Sequence, residues 1–77
     1  MDVEAFIERF EDAVEDLEPG SVTVETRFKE LPEWDSLAVL TVIAMLESEY
    51  GACLNGRDLK AVEKVGELFE RVRAACR

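Results

Sequence analysis

Residues 37–46 form a ten-residue stretch without a charged side chain, and this stretch constrains the fold more than any other part of the sequence. Its length suits a helix, and Gly51 is a suitable stop. On a helical wheel the predicted core stripe is Val39, Val42, Ile43, Leu46 and Tyr50. The opposite side carries Leu37, Thr41, Ala44 and Ser48, with Leu40, Ala38 and Met45 on its flanks. This second side is also mostly apolar, so it is either covered by another segment or presented to a partner.

An amphipathic segment precedes this stretch. Its apolar positions recur at helical spacing and are Phe6, Ile7, Phe10, Val14 and Leu17. We predict a first helix with Asp2 as N-cap that ends near Glu18, because Pro19 cannot continue the hydrogen-bond ladder and Gly20 accepts the conformation found after helix ends. The other face is predicted to be solvated, and it lacks the spacing of a calcium-binding loop. That face consists of Glu4, Glu8, Glu11, Asp12, Glu15 and Asp16.

Two further helical segments are predicted after Gly51. Asn55 resembles an N-cap, with Asp58 in the first turn, and opens a short helix through Leu59 and Ala61. A last helix then carries an apolar stripe made of Val62, Val65, Leu68, Phe69 and Val72. Basic residues suit the negative end of its dipole, and they are Arg71, Arg73 and Arg77.

Residues 21–35 show no sustained hydrophobic period, so we predict a long ordered loop with one helical turn after Thr26. A loop of this length is usually functional or held by its own side chains, here Phe28, Leu31 and Trp34. The predicted fold class is all-α: one domain over residues 1–77, with three longer helices, one short helix and a long loop between the first two. The expected core is Phe6, Phe10, Val14, Val39, Ile43, Leu46, Val65, Leu68, Phe69 and Val72.

The net charge of the chain argues against some classes of partner. Nine Lys and Arg oppose eighteen Asp and Glu, which gives a formal net charge of -9. Phosphate backbones and anionic membrane surfaces would repel such a domain, so we expect no nucleic-acid partner and no membrane insertion. The acidic N-terminus resembles neither a signal peptide nor an anchor, and we expect a cytoplasmic monomer. Cys53 and Cys76 have no metal-site spacing, and the sequence has no His. Both are expected to be ordinary thiols, although a disulfide is an alternative.

Asp35, Ser36 and Leu37 lie where the loop becomes the second helix. Ser36 is therefore expected at the helix start with its hydroxyl facing solvent. A phosphate ester there would lie beside unpaired N–H groups and the positive end of the helix dipole, a stabilisation of about 0.3–1 kcal/mol. The alternative is that Ser36 is a plain N-cap, worth about 1 kcal/mol. From the residues alone, Asp35 is either a solvated charge or the N-cap itself.

The sequence around Ser36 resembles that of the acyl carrier proteins. Residues 26–37 are similar to the loop and Asp-Ser-Leu signature of that family, and the similarity continues through residues 44–51. It extends to the first helix, to Asp58 and Leu59, and to the last helix around Val65 and Leu68. The Asp-Ser-Leu tripeptide is weak alone, but the order of elements is specific and covers nearly the whole chain.

The resemblance implies that a phosphopantetheinyl transferase, using coenzyme A and magnesium, would load phosphopantetheine onto Ser36, with Asp35 helping to orient the serine. Acyl or aminoacyl groups would then be carried as thioesters between activating and transferring enzymes. The protein itself would catalyse nothing, which agrees with the lack of a His and of any evident activated nucleophile.

By the same resemblance, partner enzymes would dock on the outward face of the second helix. The candidate docking residues are Asp35, Leu37, Leu40, Thr41 and Ala44. In fatty-acid-type carriers this face is usually acidic, whereas here its first turns are uncharged. The difference favours specialised lipid, polyketide, peptide or surface-polysaccharide assembly over bulk fatty acid synthesis, with recognition by burial rather than by charge. The alternative is that the loop covers this face, with Trp34 across it; uniformly buried Leu37, Leu40 and Met45 would then exclude docking.

A second departure from the family is Lys64, at a position where a threonine often caps the last helix, so the third and fourth helices either run together or are capped differently. The rival function is an unmodified carrier-like adaptor or enzyme subunit, in which Ser36 is only a cap.

Overall fold

The computed structural model describes residues 2–75, and the predictions for Cys76 and Arg77 lie outside them. The chain forms an all-α bundle, as predicted, with three longer helices, one short helix and a long loop between the first two. The helices are α1 (Val3–Ala13), α2 (Ser36–Tyr50), α3 (Gly56–Lys60) and α4 (Val65–Ala75). No regular strand occurs in the described part, where Arg27 and Lys64 form an isolated bridge. None of its helices is both long and apolar enough to cross a membrane.

The first helix starts as predicted but ends five residues early. Asp2 is the N-cap and accepts a hydrogen bond from the N–H of Glu4 at 3.1 Å. The helix ends at Ala13 rather than near Glu18, because Val14 leaves helical geometry with φ -94° and ψ 113°. Its side chain nevertheless stays in the core. Two residues later, Asp16 adopts φ 69°, a left-handed conformation that Asp tolerates better than most residues, and the chain turns back.

Glu11 explains why the chain turns back so early. It was predicted to lie on the solvated face, but its side chain is only 6% exposed. One carboxylate oxygen accepts hydrogen bonds from the N–H groups of Gly20 and Val22, both at 3.0 Å. A helix continued to Glu18 would carry the chain about 7.5 Å further along the axis. The observed early end keeps the N–H groups of Gly20 and Val22 within hydrogen-bond distance of Glu11. The other five acidic residues of that predicted face are exposed.

The second helix has the predicted length, but its buried stripe is rotated. It ends at Gly51, which has φ 66° and donates its N–H to Glu47 O at 2.9 Å. Its buried residues are Ala38, Val42 and Leu46. The predicted core residues Val39 and Ile43 are only half-buried, and Ala38 was predicted on the flank of the outward side. The small alanine lets the first turn of α2 pack closely, which the wheel of large apolar residues did not indicate.

The three side chains predicted to anchor the long loop pack into or against the core. Phe28 is fully buried at the start of a short 3-10 turn (Phe28–Glu30), and Leu31 and Trp34 pack against the core. The Trp34 ring stacks on Phe10 with centroids 6.0 Å apart and meets the edge of Phe28 at 5.0 Å. Trp34 therefore points into the bundle between α1 and the loop.

The third and fourth helices are separate. Asn55 is the N-cap of α3, as predicted, and it forms a reciprocal capping box with Asp58. The fourth helix starts at Val65, so Val62 lies in the connection, although it is buried. Lys64 has no hydroxyl that could cap α4, and Glu67 satisfies the donors there instead. Its carboxylate accepts the N–H groups of Lys64 at 2.9 Å and of Glu63 at 2.7 Å.

The core lies between α1, α2 and α4, with the loop and α3 closing it. The predicted core residues Phe6, Phe10, Val14, Leu46, Val65, Leu68, Phe69 and Val72 are all buried. Loop and connection residues complete it, and these are Val22, Phe28, Ala52, Leu54, Leu59 and Val62. One edge of this bundle, where α1 ends and α2 begins, holds the candidate site.

Candidate functional site

Ser36 is the first residue of α2 and is exposed. It is not the N-cap, so the cap alternative for this residue is wrong. Asp35 is the cap: its backbone is extended, and its carboxylate accepts the N–H of Ala38 at 2.9 Å. Capping is therefore the structural role of Asp35, whereas its assistance to a transferase stays a prediction.

Because Asp35 caps the helix, the hydroxyl of Ser36 is not used by the helix start. None of the described residues forms a hydrogen bond with it. The first N–H groups of a helix have no acceptor within the helix itself. Here Asp35 takes the N–H of Ala38, and its carbonyl takes that of Val39 at 3.0 Å. The N–H groups of Ser36 and Leu37 stay free to face an anion attached at the hydroxyl.

The outward face of α2 is open. Leu37 is 57% exposed and Leu40 is 65% exposed, while Met45 is half-buried. Trp34 does not lie across these leucines, because it stacks on Phe10 and Phe28 instead. The alternative that the loop covers this face is therefore wrong. Thr41, one turn after Leu37, donates its hydroxyl to Leu37 O at 2.9 Å, so this polar group is satisfied within the helix.

Two adjacent surface cavities run between α1 and α2 beside this face. The cavity at the start of α2, which we call the upper cavity, has a volume of about 550 Å³. Its α2 side is lined by Asp35, Leu37, Ala38 and Thr41. The lower cavity, of about 450 Å³, shares Thr41 and continues past Ala44 and Met45. The two cavities thus bring together four of the five predicted docking residues. Leu40 lines neither cavity and is exposed on the outward face.

The upper cavity has an acidic wall that the sequence analysis missed. Its other lining residues are Asp12, Ala13, Glu15, Asp16, Pro32 and Glu33. With Asp35 this makes five carboxylates and no Lys or Arg. Glu15 and Asp16 reach this place because the chain leaves α1 after Ala13, whereas the predicted longer helix kept both on its own surface. Among residues 2–75 no group of His, Cys, Asp or Glu is arranged to hold a metal ion, and Cys53 is exposed.

Comparison with known proteins gave no matching protein-family model, no matching curated protein and no matching solved structure. The residues around Ser36, together with the resemblance of the sequence to the acyl carrier proteins, are therefore what supports a function for this chain.

Proposed function

We propose that this chain is a stand-alone carrier protein that bears phosphopantetheine on Ser36 and carries acyl or aminoacyl groups between biosynthetic enzymes. One observation carries the proposal: Ser36 begins a 15-residue helix, is exposed, and has a hydroxyl that the fold does not use because Asp35 makes the cap. Serine is a preferred N-cap residue, but here the cap is Asp35 and not Ser36. The resemblance of residues 26–37 to the acyl carrier proteins gives this free hydroxyl a chemical purpose.

The site fits an attached phosphodiester. Loading would form a bond from the Ser36 oxygen to the phosphorus next to the pantetheine of coenzyme A, and it would break the pyrophosphate bond. The adenosine bisphosphate half would leave with the bonding electrons, and the hydroxyl proton would pass to a base on the transferase. The free N–H groups of Ser36 and Leu37 would then face the anion at the positive end of α2. The terminal thiol of the bound group supplies the thioester chemistry.

Partners would dock on the open face of α2 beside Ser36. The residues are those of the sequence prediction: Asp35, Leu37, Leu40, Thr41 and Ala44. The transferase and the acyl- or aminoacyl-activating and transferring enzymes would bind here, and the chain would act as a cytoplasmic monomer that catalyses nothing itself. The uncharged surface of the first turns of α2 supports a specialised pathway rather than bulk fatty acid synthesis.

The deciding experiment is intact mass spectrometry after incubation with coenzyme A, magnesium and a broad-specificity phosphopantetheinyl transferase. We expect one phosphopantetheine adduct on the wild-type chain and none on Ser36→Ala. Because Ser36 is exposed and unbonded, this variant should keep its stability to within about 0.5 kcal/mol. Ser48→Ala, an exposed serine further along α2, is the matched control and should load normally. A wild-type chain without an adduct would favour the unmodified adaptor.

A further inference from the structure

Trp34 is joined to two other aromatic rings that come from separate parts of the chain. Its ring stacks on that of Phe10 with centroids 6.0 Å apart and planes 11° apart, and it meets the edge of Phe28 at 5.0 Å. Phe10 and Phe28 also contact each other edge to face at 5.8 Å, so the three rings form a closed triangle. Phe10 belongs to α1 and Phe28 to the 3-10 turn, and both are fully buried. Trp34 is therefore held by two rings that the core itself fixes in place.

The backbone on both sides of Trp34 is restrained as well. Before it, the N–H of Trp34 donates to Leu31 O at 3.0 Å, and the φ of Pro32 within this turn is fixed by the proline ring. After it, Asp35 is extended, with φ -142° and ψ -172°, and its carboxylate accepts a hydrogen bond from the first turn of α2. One residue thus separates the aromatic triangle from Ser36, and that residue is itself fixed as the cap.

Ser36 contributes little to its own placement. Its side chain is exposed, and its hydroxyl forms no hydrogen bond with any residue of the described part. The first buried side chain of α2 is the methyl group of Ala38, two residues further on. A methyl group makes few contacts that resist a shift of the first turn, whereas an indole ring buries a large area in a defined orientation. The position of the Ser36 oxygen therefore depends mainly on Trp34.

We propose that Trp34 is a positioning residue for the loading of Ser36: its stacked ring fixes where the loop enters α2, and thereby fixes the serine oxygen before a transferase binds. The inference rests on the proposed function, because loading is the reaction in which the position of this oxygen matters. The Ser36 oxygen must lie in line with the pyrophosphate bond that breaks, and an atom already in place needs no further ordering in the complex. A misplacement of about 1 Å can lower such a rate about 100-fold.

The packing of Trp34 also indicates which kinetic quantity it controls. The ring is half-buried and packs against the core, while the exposed side chains next to Ser36 belong to α2. Loss of the ring should therefore lower the rate at which the bound carrier reacts and leave its affinity for the transferase nearly unchanged. A ring that contacted the transferase directly would give the opposite result, a weaker complex that reacts at the same rate.

The loading of four chains by an excess of the broad-specificity transferase with coenzyme A tests this role. The chains are the wild type, Trp34→Leu, Trp34→Phe and Phe69→Leu. The first variant keeps an apolar side chain but no ring, and the second keeps a ring. Phe69→Leu is the matched control, because it removes a ring that contacts Phe6 at 5.3 Å near the end of α2 rather than its start. Intact mass at increasing transferase concentration gives the maximum single-turnover rate and the apparent Kd, and circular dichroism checks folding.

We expect the maximum rate of Trp34→Leu to fall about tenfold, with an apparent Kd within about twofold of the wild-type value. Trp34→Phe should stay within about threefold of the wild-type rate, and Phe69→Leu should react like the wild type although it also loses a core ring. A second readout needs no transferase. Hydrogen exchange at Val39, whose N–H donates to Asp35 O at 3.0 Å, should accelerate in Trp34→Leu more than in Phe69→Leu.

A folded Trp34→Leu chain with the wild-type rate, or an equal loss of rate in Phe69→Leu, would overturn the positioning role and leave the carrier function intact. A higher apparent Kd without a loss of rate would overturn it in the same way. If Trp34→Leu did not fold, Trp34→Phe would decide, since a loss of rate greater than that of Phe69→Leu supports the role and an equal rate overturns it. A wild-type chain that acquires no adduct would overturn both the role and the proposed function.

Discussion

The starts of α2 and α4 both contact the long loop, yet their backbone donors are satisfied in different ways. At α4, the N–H of Val65 reaches Thr26 O and that of Gly66 reaches Val24 O, both at 2.9 Å. Glu67 accepts the two N–H groups before them. At α2, Asp35 accepts the N–H groups of Ala38 and Val39, and within residues 2–75 those of Ser36 and Leu37 have no hydrogen-bond acceptor.

The two helix starts therefore differ in what their backbone N–H groups do: those of α4 hold the loop, whereas those of α2 remain available to a ligand. The start of α4 is closed, because the loop and Glu67 use its donors, and it contributes to holding the loop in place. The start of α2 is open, because one aspartate makes the cap and leaves the next residue exposed. A binding site at a helix start requires the second arrangement, since donors already used cannot meet a ligand. Four substitutions test this contrast, and their expected effects on stability decrease in the order Glu11, Gly66, Asp35 and Glu67.

Glu11→Ala should have the largest effect, because it releases the loop that the two helix starts share. The buried N–H of Val22 and that of Gly20 lose their acceptor, so we expect the free energy of unfolding to fall by about 2–3 kcal/mol. Hydrogen exchange at Val65 and Gly66 should accelerate as well. Denaturant unfolding and exchange measure the two effects. Glu11→Gln retains an accepting oxygen and should recover part of the loss; an equal loss would argue against the hydrogen bonds as the cause.

Gly66→Val should break the closed start directly. A Cβ at Gly66 would meet the carbonyl oxygen of Val24 at 3.1 Å and its Cβ at 3.2 Å. The loop backbone would have to move, and we expect a loss of about 1–3 kcal/mol in thermal or denaturant unfolding. Gly56→Val is the control, since nothing lies within 4 Å of a Cβ there. Similar losses at the two glycines would mean that this close approach is not what holds the loop.

Asp35→Ala should weaken the open start by about 1 kcal/mol, the usual value of an N-cap. Asp35→Asn keeps an accepting oxygen and should retain most of the stability. Comparing the two variants in the loading reaction separates capping from assistance to the transferase. Normal loading of the Asn variant would leave capping as the only role of Asp35, while slow loading of this stable variant would support the second role.

Glu67→Gln should have the smallest effect and a specific pH dependence. The hydrogen bonds from the backbone of Lys64, and then of Glu63, hold the pKa of Glu67 below its ordinary value of 4.5. A carboxylate with a lowered pKa in the folded state stabilises the protein above its unfolded pKa, and this stabilisation is lost as the pH falls through the folded pKa. The Tm difference from wild type should therefore be present at neutral pH and shrink in acid. A Tm difference that stays constant into acid would argue against the backbone hydrogen bonds of Glu67 as its source.

The sequence predicted the elements better than the details of the site. Local signals in the sequence were enough to find the helices. These signals are the repeating apolar positions, Asn55 with Asp58 at the start of α3, and Gly51 at the end of α2. The end of α1 was missed because Glu11 satisfies loop donors nine and eleven residues later, a contact that no local pattern encodes. Glu11 lies four residues after Ile7 and three before Val14, which puts it beside the apolar stripe on a wheel; this position was the one local signal of its burial.

At the candidate site, the sequence predicted an exposed Ser36 at the start of the second helix, and the structure places it there. Leu37 and Leu40 are exposed, as an open face requires. It did not decide which of Asp35 and Ser36 makes the cap, since both are good N-cap residues and the choice depends on where the loop leaves the core. The acidic wall could not be predicted because it requires the turn after Ala13. Tertiary contacts, rather than residue preferences, thus determine the surroundings of the serine.

The packing of Trp34 has a practical consequence. It is the only tryptophan in the sequence, it stacks on Phe10 and Phe28, and it lies two residues before Ser36. The chain therefore contains its own fluorophore next to the proposed attachment point. Its emission reports on the aromatic cluster beneath the loop, so unfolding and events at Ser36 can be followed in real time without a label.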